Sequence, residues 1–480
     1  MPRRTKIVAT LGPATDDPSV LAALLRAGAD VARINFSHGT PDEHLARVAR
    51  FRAEADRQRK VAAVLADLPG PKLRVRIPGP RPLLPGEVVH FSLAPEPVHD
   101  GDIAITEPEA LADVRPGQRL LLDDGRLQLA AKQIDAGRLA AEVVVGGTLL
   151  ENKGLNLPDT PLSIPAVTDR DREAIALAAK AGVDWLALSF VRGPSAADEL
   201  RRAAAEHGLN VPVMAKIERP EAVTRIGDIV EAFGGIMVAR GDLGVETPLE
   251  QLPMVQKQLI AAARARGRPV VTATEMLESM RYNPRPTRAE ASDVANAICD
   301  GTDAVMLSGE TAVGKYPVEA VACMARIAEE TERHLEPAGG VEISPFPILH
   351  SDGIDDPIAE TTCRLAQVVG AAAIITPTLS GRTVRRLARY RPWTRVVAPA
   401  PTAAVLRRMA IVWGIEPVLM ATLAPGGDRM SAAVRDAFVA GAVKVDDRVV
   451  VTAGHPIEGG RRFPTVRVVR VGEGGASLEP

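Results

Sequence analysis

A lysine and two carboxylates stand at the ends of two successive strand-like runs, and together they have the chemistry of a metal-assisted site. Lys216 and Glu218 are two positions apart at the end of an apolar run, and Asp242 follows the next one, Gly235 to Ala239. Alternate residues of an extended strand share a face, so Lys216 and Glu218 point to the same side. Two carboxylates suit Mg²⁺, and a neighbouring ammonium suits a phosphoryl or enolate group.

A surface salt bridge is the simpler interpretation of a lone Lys-x-Glu pattern. Here, however, the pair ends an apolar strand and a Gly-Asp turn follows the next one, as in barrel enzymes whose chemistry lies at the carboxyl ends of strands. We therefore favour a metal site formed by Glu218 and Asp242. Gly241 and Asp242 are also expected to begin a short helix, whose backbone N–H groups suit a substrate carboxylate.

Composition narrows the class of protein. The chain has 480 residues, 46% of them hydrophobic, which is enough for a large core and roughly two or three domains. The 58 basic and 60 acidic residues give a formal net charge of -2, so a nucleic-acid partner is not expected. No apolar run approaches the length of a membrane span, so a membrane partner is not expected either. The 3 cysteines show no CxxC spacing and no export signal is recognisable, which favours a cytoplasmic location.

Short β-rich runs alternate with amphipathic helical patterns, which predicts parallel βαβ units. Eight such runs can be counted, and eight is the strand number of a (β/α)8 barrel. They are Lys6 to Thr10, Asp30 to Ile34, Val61 to Ala66, Val183 to Ser189, Val213 to Ile217, Gly235 to Val238, Pro269 to Thr272 and Ala304 to Leu307. The helical patterns include Ser19 to Arg26, Asp169 to Ala181, Leu249 to Arg266 and Arg288 to Cys299.

The interval after the third run breaks this alternation. Residues 73–157 carry Pro/Gly punctuation and short alternating segments with little helical periodicity. They predict an inserted small β domain above the mouth of the barrel, where it closes as a lid and excludes water. A Pro/Gly-containing connection after the eighth run leads to a fresh α/β alternation. The predicted domains are 1–70 and 164–338 for the barrel, 71–163 for the lid and 339–480 for the C-terminal domain.

Eight segments, spread over most of the length of the chain, resemble the pyruvate kinase family in their order and extent. They are TKIVATLGPA (5–14), VARINFSHG (31–39), KGLNLP (153–158), KIE (216–218), ARGDLG (239–244), TATEMLESM (272–280), PRPTRAE (284–290) and MLSGETA (306–312). The fold that this resemblance implies is a TIM barrel with an inserted small β-barrel lid domain and a C-terminal α/β regulatory domain, in agreement with the independent strand count.

The resemblance implies phosphoryl transfer from phosphoenolpyruvate to ADP with Mg²⁺, or Mn²⁺ in its place, giving pyruvate and ATP as the last step of glycolysis. By similarity, Glu218 and Asp242 hold the ion against the substrate. Lys216 neutralises charge on the transferring phosphoryl group and on the nascent enolate, so it acts mainly by electrostatic stabilisation.

The other substrate roles also follow from the resemblance. Arg33, at the end of the second run, contacts the phosphoryl group, and a surface ion pair is the alternative for this residue. The hydroxyl of Thr274 orients a water on the path that brings a proton to the enolate. The predicted catalytic residues are Lys216, Arg33 and Thr274, and the substrate-binding set adds Gly241 and Asp242.

Five residues match family positions near the nucleotide. Arg74 and Lys153 have the charge to meet the phosphates of ADP from the base and the edge of the lid. Without the resemblance, His38 would be an ordinary loop histidine. The complete predicted set is Pro13, Asn35, His38, Arg74 and Lys153.

The chain departs from the family pattern where many members bind K⁺ through an asparagine, a serine, an aspartate and a threonine. Asn35, Ser37 and Asp67 match, but Leu68 stands in place of the threonine. Lys72 stands where K⁺-requiring members carry a glutamate, and a fixed ammonium can supply the charge that the ion would bring. We therefore predict activity without K⁺. The alternative is that Lys72 only faces solvent.

A hydroxyl-rich loop in the C-terminal domain lies between an apolar run and a basic helical pattern. A strand, such a loop and a helix start together make an anion-binding nest. In the family the matching loop binds the phosphate of an allosteric sugar phosphate or nucleotide, and an ordinary Ser/Thr turn is the alternative. The predicted effector residues are Thr376, Thr378, Ser380, Arg382 and Thr383.

Two other functions remain open. A metal-dependent aldolase or lyase acting on pyruvate-like substrates also binds Mg²⁺ at an enolate, but the lid and the basic set Lys72, Arg74 and Lys153 argue against it. A non-catalytic sugar-phosphate sensor would not need the trio of Lys216, Glu218 and Asp242. The family resemblance also predicts a homotetramer.

Overall fold

Eight parallel strands close into a barrel in the computed structural model, which describes residues 3–335, 354–421, 428–457 and 461–480. The first strand pairs with both the second and the eighth, which closes the ring. In chain order the barrel strands are Lys6–Thr10, Val31–Asn35, Ala63–Leu68, Trp185–Leu188, Val213–Ile217, Gly235–Ala239, Val270–Ala273 and Ala304–Leu307. All eight predicted strands are confirmed, each within about two residues of its predicted ends.

Alternation along these strands sorts side chains into two layers. Val31, Leu65 and Met214 belong to an apolar cluster inside the barrel. Their strand neighbours, such as Ala32, pack outward in a cluster that includes helix residues such as Leu200. A residue two positions after an inward-facing one therefore also faces the barrel axis.

The helices around the barrel begin at strong sequence signals. Thr40, Thr168 and Thr287 each cap a helix through the backbone N–H three residues on, and the acidic residue there reaches back, so all three are capping boxes. The predictions of Asp169–Ala181 and Arg288–Cys299 are confirmed without change. The α-helices of this part are Pro18–Ala27, Pro41–Arg57, Asp169–Ala181, Ser195–Glu206, Pro220–Thr224, Ile226–Ala232, Arg240–Glu246, Leu252–Ala265, Arg288–Cys299, Gly309–Ala312 and Pro317–Leu335.

The inserted domain is built from short antiparallel strands around one apolar core. It leaves the barrel at Gly70, where φ is +64° and a Cβ would lie 2.7 Å from the Ser189 carbonyl oxygen, so this turn requires glycine. Its five-stranded sheet has the order Leu155–Asn156, Arg119–Leu122, Leu127–Asp135, Arg138–Val145, Val88–Ser92. Two further pairs join Gly147–Leu149 to Arg81–Leu83 and Val75–Arg76 to Ala104–Ile105.

The C-terminal domain is a six-stranded sheet with helices. Its strands have the order Ile415–Leu419, Arg395–Ala400, Ala373–Ile375, Arg448–Ile457, Arg461–Val471, Ser477–Leu478, and the first four are parallel. Its helices are Asp355–Val368, Arg382–Ala388, Ala403–Met409 and Arg429–Val439. The Trp185 indole N–H donates to the Arg408 carbonyl oxygen at 3.1 Å and joins this domain to the barrel.

The predicted fold class, a (β/α)8 barrel with an inserted β domain and a C-terminal α/β domain, is confirmed. The predicted boundary between residues 338 and 339 lies outside the described residues, and the other domain boundaries stay predictions. Among the helices of the described ranges, none combines the length and the apolar content needed to cross a bilayer.

Candidate active site

Polar side chains meet at the carboxyl end of the barrel because strand alternation points them inward. Arg33, Asp67 and Lys216 each stand two residues after an inward-facing apolar residue of their own strand. Ser189 and Glu218 continue the same alternation one position beyond the fourth and fifth barrel strands. All five are buried. The barrel geometry therefore gathers two cations, two carboxylates and a hydroxyl in one place.

Three oxygens surround the Lys216 ammonium. Its Nζ lies 2.9 Å from Glu218 Oε1 and 3.3 Å from Asp67 Oδ1, and it donates to Ser189 Oγ at 2.6 Å. Burial by itself lowers the pKa of Lys216, but the Asp67 and Glu218 carboxylates outweigh it and raise that pKa above its ordinary value. Lys216 is therefore a fixed positive charge, placed to stabilise negative charge that develops on a bound anion.

Glu218 and Asp242 form the pair predicted to hold a metal ion. Asp242 lies in the first turn of Arg240–Glu246, which confirms the short helix expected there. Burial raises the pKa of Glu218, and the negative charge of Asp242 adds to this against the opposing effect of Lys216. Two carboxylates that repel each other in a largely buried place fit a divalent cation, which relieves that repulsion.

The number of acidic ligands is also informative. In the part of the chain that the structure describes, no group of three or more His, Cys, Asp or Glu side chains could hold a metal ion. The predicted ligands Glu218 and Asp242 are therefore a pair and not part of a larger cluster of such side chains. Mg²⁺ commonly binds proteins through one or two carboxylates, with substrate oxygens and waters as its other ligands.

Asp67 connects the two inward-facing cations. Arg33 Nε donates to Asp67 Oδ2 at 2.7 Å, and Arg33 Nη1 donates to Thr10 Oγ1 at 3.1 Å. Burial raises the pKa of Asp67, but Lys216 and then Arg33 outweigh it and lower that pKa. Asp67, predicted from the family pattern as a ligand of a monovalent cation, is thus engaged by two side-chain cations, and Arg33 is not a surface ion pair.

Lys72 contacts the candidate metal site. Its Nζ donates to Asp242 Oδ1 at 3.0 Å and lies 5.7 Å from the centre of the Phe190 ring. The side chain is 33% exposed, so it is neither buried nor simply solvent-facing. Asn35 and Ser37, two other residues of the family's K⁺ pattern, contact each other: Asn35 Oδ1 accepts a hydrogen bond from the Ser37 backbone N–H at 3.1 Å. Sequence reasoning predicted the charge of Lys72 but not its contact with Asp242.

Thr274 lies in a strained segment beside Gly241. The φ angles of Thr274 and Phe190 are 69° and 55°, which is rare for residues with a side chain. Thr274 Oγ1 accepts from the Gly241 N–H at 2.8 Å and donates to the Ala273 carbonyl oxygen at 2.6 Å. The Thr274 hydroxyl proton is therefore engaged by the Ala273 carbonyl oxygen, while the second lone pair of Oγ1 can still accept a hydrogen bond from a water or a ligand.

Gly241 itself is not required by the protein's own packing. A Cβ there would lie 3.5 Å from the closest atom, Thr274 Oγ1, which is an ordinary contact. Because the protein's own packing leaves room for a Cβ at this position, glycine there suits a place where the backbone must approach a ligand closely.

Arg240 is a positioning residue that sequence reasoning missed. Its Nη2 donates to the Thr274 carbonyl oxygen at 2.7 Å, and its Nη1 donates to Asp293 Oδ1 at the same distance. Arg240 was visible in the motif that contains Gly241 and Asp242, but Asp293 lies on a helix 53 residues further along the chain. Only the barrel fold brings these residues together.

Pairing or charge connects three of the five predicted nucleotide residues, His38, Arg74 and Lys153, and Asn35 stands in register with Asp67 of the site. An isolated β-bridge pairs Arg74 with Gly154, the neighbour of Lys153. Burial, then the charges of Arg74 and Arg33, lower the pKa of His38. Lys153 Nζ lies 2.7 Å from Asp123 Oδ1. Pro13 begins a separate turn, and in the described residues no hydrogen bond or ion pair joins it to the other four.

A second missed group ties the lid to the barrel. Arg219 Nη2 donates to the carbonyl oxygens of Leu157 at 3.0 Å and Thr160 at 3.1 Å. Asn156 Nδ2 donates to Glu246 Oε1 at 2.9 Å. Burial raises the pKa of Glu246, which Arg219 partly offsets. Arg219 directly follows the predicted metal ligand Glu218 in the chain, and that adjacency was its only sequence signal.

The predicted effector loop lines a cavity of about 410 Å³, which we call the loop cavity. Thr378, Ser380, Arg382 and Thr383 are on its wall. Thr378 Oγ1 also accepts from the Gly381 N–H at 2.8 Å, as in an ordinary Ser/Thr turn. Thr376 is fully buried and is not among the residues of this wall, so the structure separates it from the other four.

Comparisons with known proteins agree with this architecture. The family description "Pyruvate kinase, barrel domain" matches residues 2–321, and "Pyruvate kinase, alpha/beta domain" matches residues 356–469. "Pyruvate kinase 2" of Synechocystis sp. is 45% identical over 463 residues, 95% of this chain and 77% of that protein. "Pyruvate kinase" of Geobacillus stearothermophilus is 43% identical over 95% of this chain and 78% of its own. "Pyruvate kinase" of Methylorubrum extorquens is 42% identical over 95% of this chain and 94% of its own. The resemblance carried by the motifs is confirmed, and the chain belongs to the pyruvate kinase family of phosphotransferases.

Proposed function

We propose that the protein transfers the phosphoryl group of phosphoenolpyruvate to ADP, with Mg²⁺ as the ion and Mn²⁺ as a replacement. The observation that carries this proposal is the convergence of Lys216, Arg33 and the carboxylates of Glu218 and Asp242 at the carboxyl end of the barrel. Two cations beside two carboxylates suit a multiply charged phosphate ester together with a divalent ion.

In the proposed reaction, the bond between phosphorus and the enol oxygen breaks, and phosphorus forms a bond to a terminal oxygen of ADP. The enolate then takes a proton at its methylene carbon, which gives pyruvate. Glu218 and Asp242 would hold the ion, which when bound would supply Lewis-acid polarisation of the phosphoryl group. Arg33 and Lys216 bind that group, and the fixed charge of Lys216 stabilises the enolate oxygen.

The remaining predicted residues bind and orient. The backbone at Gly241, which lacks a Cβ, approaches the substrate carboxylate. Arg74 and Lys153 meet the phosphates of ADP at the base of the lid, and closure of the lid excludes water. The other nucleotide residues proposed from the family pattern are Pro13, Asn35 and His38.

A single assay tests the proposed reaction. Pyruvate is measured from phosphoenolpyruvate and Mg²⁺ with and without ADP. We expect pyruvate to form only when ADP is present and ATP to accumulate in equal amount. Turnover without ADP would instead support a lyase, and absence of turnover in both arms would support a sensor; either result would overturn the proposal.

Thr274 is proposed to act in enolate protonation. In Thr274→Ala, we expect exchange of the methyl protons of pyruvate into D₂O to fall by at least about tenfold more than phosphoryl transfer, since general acid–base groups contribute on the order of 10² or more. Thr274→Ser is the matched control, because it keeps the hydroxyl that accepts from Gly241. Equal losses in the two partial reactions would contradict this role.

We also propose that the enzyme does not need K⁺. The support is that Lys72 donates to Asp242 and that Asp67 is already paired with Arg33 and Lys216. Leu68 in addition lacks the hydroxyl that the family pattern supplies to K⁺.

Replacing Lys72 tests the K⁺ proposal. Wild-type turnover is expected to change by less than about twofold when K⁺ replaces tetramethylammonium. Lys72→Glu removes an ammonium and adds a charge that repels Asp242, so we expect at least about a tenfold loss without K⁺ and partial recovery with it. Lys132→Glu, at an exposed position of a lid strand, is the control for a charge reversal. A strong rise of wild-type turnover with K⁺ would contradict the proposal.

The regulatory and cellular predictions remain proposals. We infer that the loop cavity binds a phosphorylated effector through Ser380, Arg382 and Thr383, with Thr378 holding the loop and Thr376 behind it. A homotetramer and a cytoplasmic location are proposed from the family.

A further inference from the structure

A second cavity, of about 590 Å³, lies between the barrel and the C-terminal domain. One side is the turn after the helix Leu252–Ala265, and the other is the helix Arg382–Ala388. At this contact a Cβ on Gly267 would lie 3.3 Å from the carbonyl oxygen of Arg385. We call it the arginine cavity after the residues on its wall: Arg266, Arg268, Arg382, Arg385, Arg386 and Arg389.

Acidic residues balance only part of this charge. Glu231 and Asp356 are the carboxylates on the wall. The ion pairs of the cavity are Arg266 with Glu231, Arg389 with Asp356 at 3.2 Å, and Arg386 with Asp355 and, at 3.4 Å, with Asp356. Three of the six guanidiniums are therefore neutralised by the protein.

The other three arginines have a different environment. In the described ranges, no ion pair joins a carboxylate to Arg268, Arg382 or Arg385. Arg268 donates to the carbonyl oxygen of Val230 at 2.9 Å, and Arg385 to that of Ser380 at 3.3 Å. Burial, followed by the charges of the neighbouring arginines, lowers the pKa of Arg385 to about 10.

This arrangement differs from the buried cations of the active site. There, Asp67 meets both Arg33 and Lys216, so the protein supplies the counter-charge. In the arginine cavity, no ion pair among the described residues neutralises Arg268, Arg382 or Arg385, and an anion bound between them would relieve their repulsion.

We propose that the arginine cavity binds a phosphate ester at the contact between the two domains. A guanidinium is planar and donates paired hydrogen bonds to phosphate oxygens, and the volume lies in the range of small-molecule sites. A sugar phosphate and a nucleoside monophosphate share this chemistry. The arginine cavity adjoins the loop cavity, and Arg382 and Arg386 lie on both walls. The two cavities differ in that Arg268 and Arg385 are not on the wall of the loop cavity, and Ser380 and Thr383 are not on the wall of the arginine cavity.

Calorimetric titration of the full chain tests the proposal without reference to catalysis. A sugar monophosphate, a nucleoside monophosphate and inorganic phosphate are titrated separately in Mg²⁺-free buffer. We expect at least one ester to bind the wild type with a Kd below about 1 mM. In Arg268→Gln/Arg385→Gln, its affinity should fall by at least about tenfold, because two charge-assisted contacts are lost.

Two control variants locate the bound ester. Ser380→Ala/Thr383→Val alters the loop cavity, and Arg202→Gln/Arg364→Gln removes two exposed charges elsewhere. The variant of the two exposed arginines is expected to bind the ester as the wild type does. The loop variant is expected to lose any ester bound in the loop cavity and to keep the binding event that Arg268→Gln/Arg385→Gln removes. If Arg268→Gln/Arg385→Gln fails to fold, Arg385→Lys takes its place as the test variant. It keeps the positive charge but not the planar guanidinium, so it should weaken binding of the ester. The proposal is overturned if no ester binds, or if affinity falls in the loop variant and not in the variants of Arg268 and Arg385.

Discussion

Lys216→Met is expected to lower kcat by about 10³-fold while the KM for phosphoenolpyruvate changes much less. The ammonium is buried and fixed by Asp67, Glu218 and Ser189, so it is already placed when charge develops on the phosphoryl and enolate oxygens. Losing one preorganised donor of this kind costs on the order of 10²–10³ in kcat. An interaction stronger in the transition state than in the ground state appears in kcat rather than in KM. Initial rates of pyruvate formation over a range of substrate concentrations measure both constants.

Lys60→Met is the matched control for this change. Lys60 precedes the third barrel strand at the opposite end of the barrel, and its Nζ lies 3.8 Å from Asp30 Oδ1. We expect its kcat to stay within about twofold of the wild type, since it is remote from the charge that develops. Melting curves of both variants separate loss of fold from loss of chemistry. A folded Lys216→Met protein with wild-type kcat would contradict the proposed role.

Glu218→Gln is expected to lower kcat/KM by at least about 10³-fold and to raise the Mg²⁺ concentration that gives half-maximal rate. The amide has nearly the shape of the carboxylate, and its carbonyl oxygen can still accept from the Phe190 N–H, which lies 2.7 Å from Glu218 Oε2. The change therefore removes charge from one of only two predicted metal ligands and leaves the local backbone supported. Rates measured across a Mg²⁺ titration give both quantities.

Glu221→Gln provides the comparison for Glu218→Gln. Glu221 is three residues further on, partly exposed, and pairs with Arg219 at 3.0 Å. It is expected to keep the wild-type Mg²⁺ dependence. An unchanged Mg²⁺ dependence in Glu218→Gln as well would exclude Glu218 as a metal ligand.

The barrel was predictable because its signal is local. Each strand is a short apolar run between polar turns, and three of the eight, such as Val213–Ile217, were predicted with their observed bounds. The inward direction of Lys216 follows from the same alternation, since its neighbours Ala215 and Ile217 pack outward. The face of a strand on which a side chain lies, and the end of the strand at which it stands, can therefore be derived from sequence. This explains why Lys216, Glu218 and Asp242 could be predicted as one site.

Contacts between distant segments were not predictable. The hydrogen bond from Lys72 to Asp242 spans 170 positions, and the one from Asn156 to Glu246 spans 90. Both depend on how the lid returns to the barrel, which no periodicity in the chain encodes. The effector loop was predicted from neighbouring residues of one short segment. In the structure, however, Thr376 of that segment is fully buried and is not on the wall of the loop cavity.

Electron paramagnetic resonance of bound Mn²⁺ shows whether Glu218 and Asp242 hold the divalent ion, because the signal comes from the ion itself. The wild type and Glu218→Gln/Asp242→Asn are titrated with Mn²⁺ in the presence of phosphoenolpyruvate and without nucleotide. We expect one Mn²⁺ site in the wild type and at least about a tenfold loss of Mn²⁺ affinity in the double variant, because both carboxylate ligands are gone. An unchanged Mn²⁺ affinity in the double variant would contradict the proposed metal site.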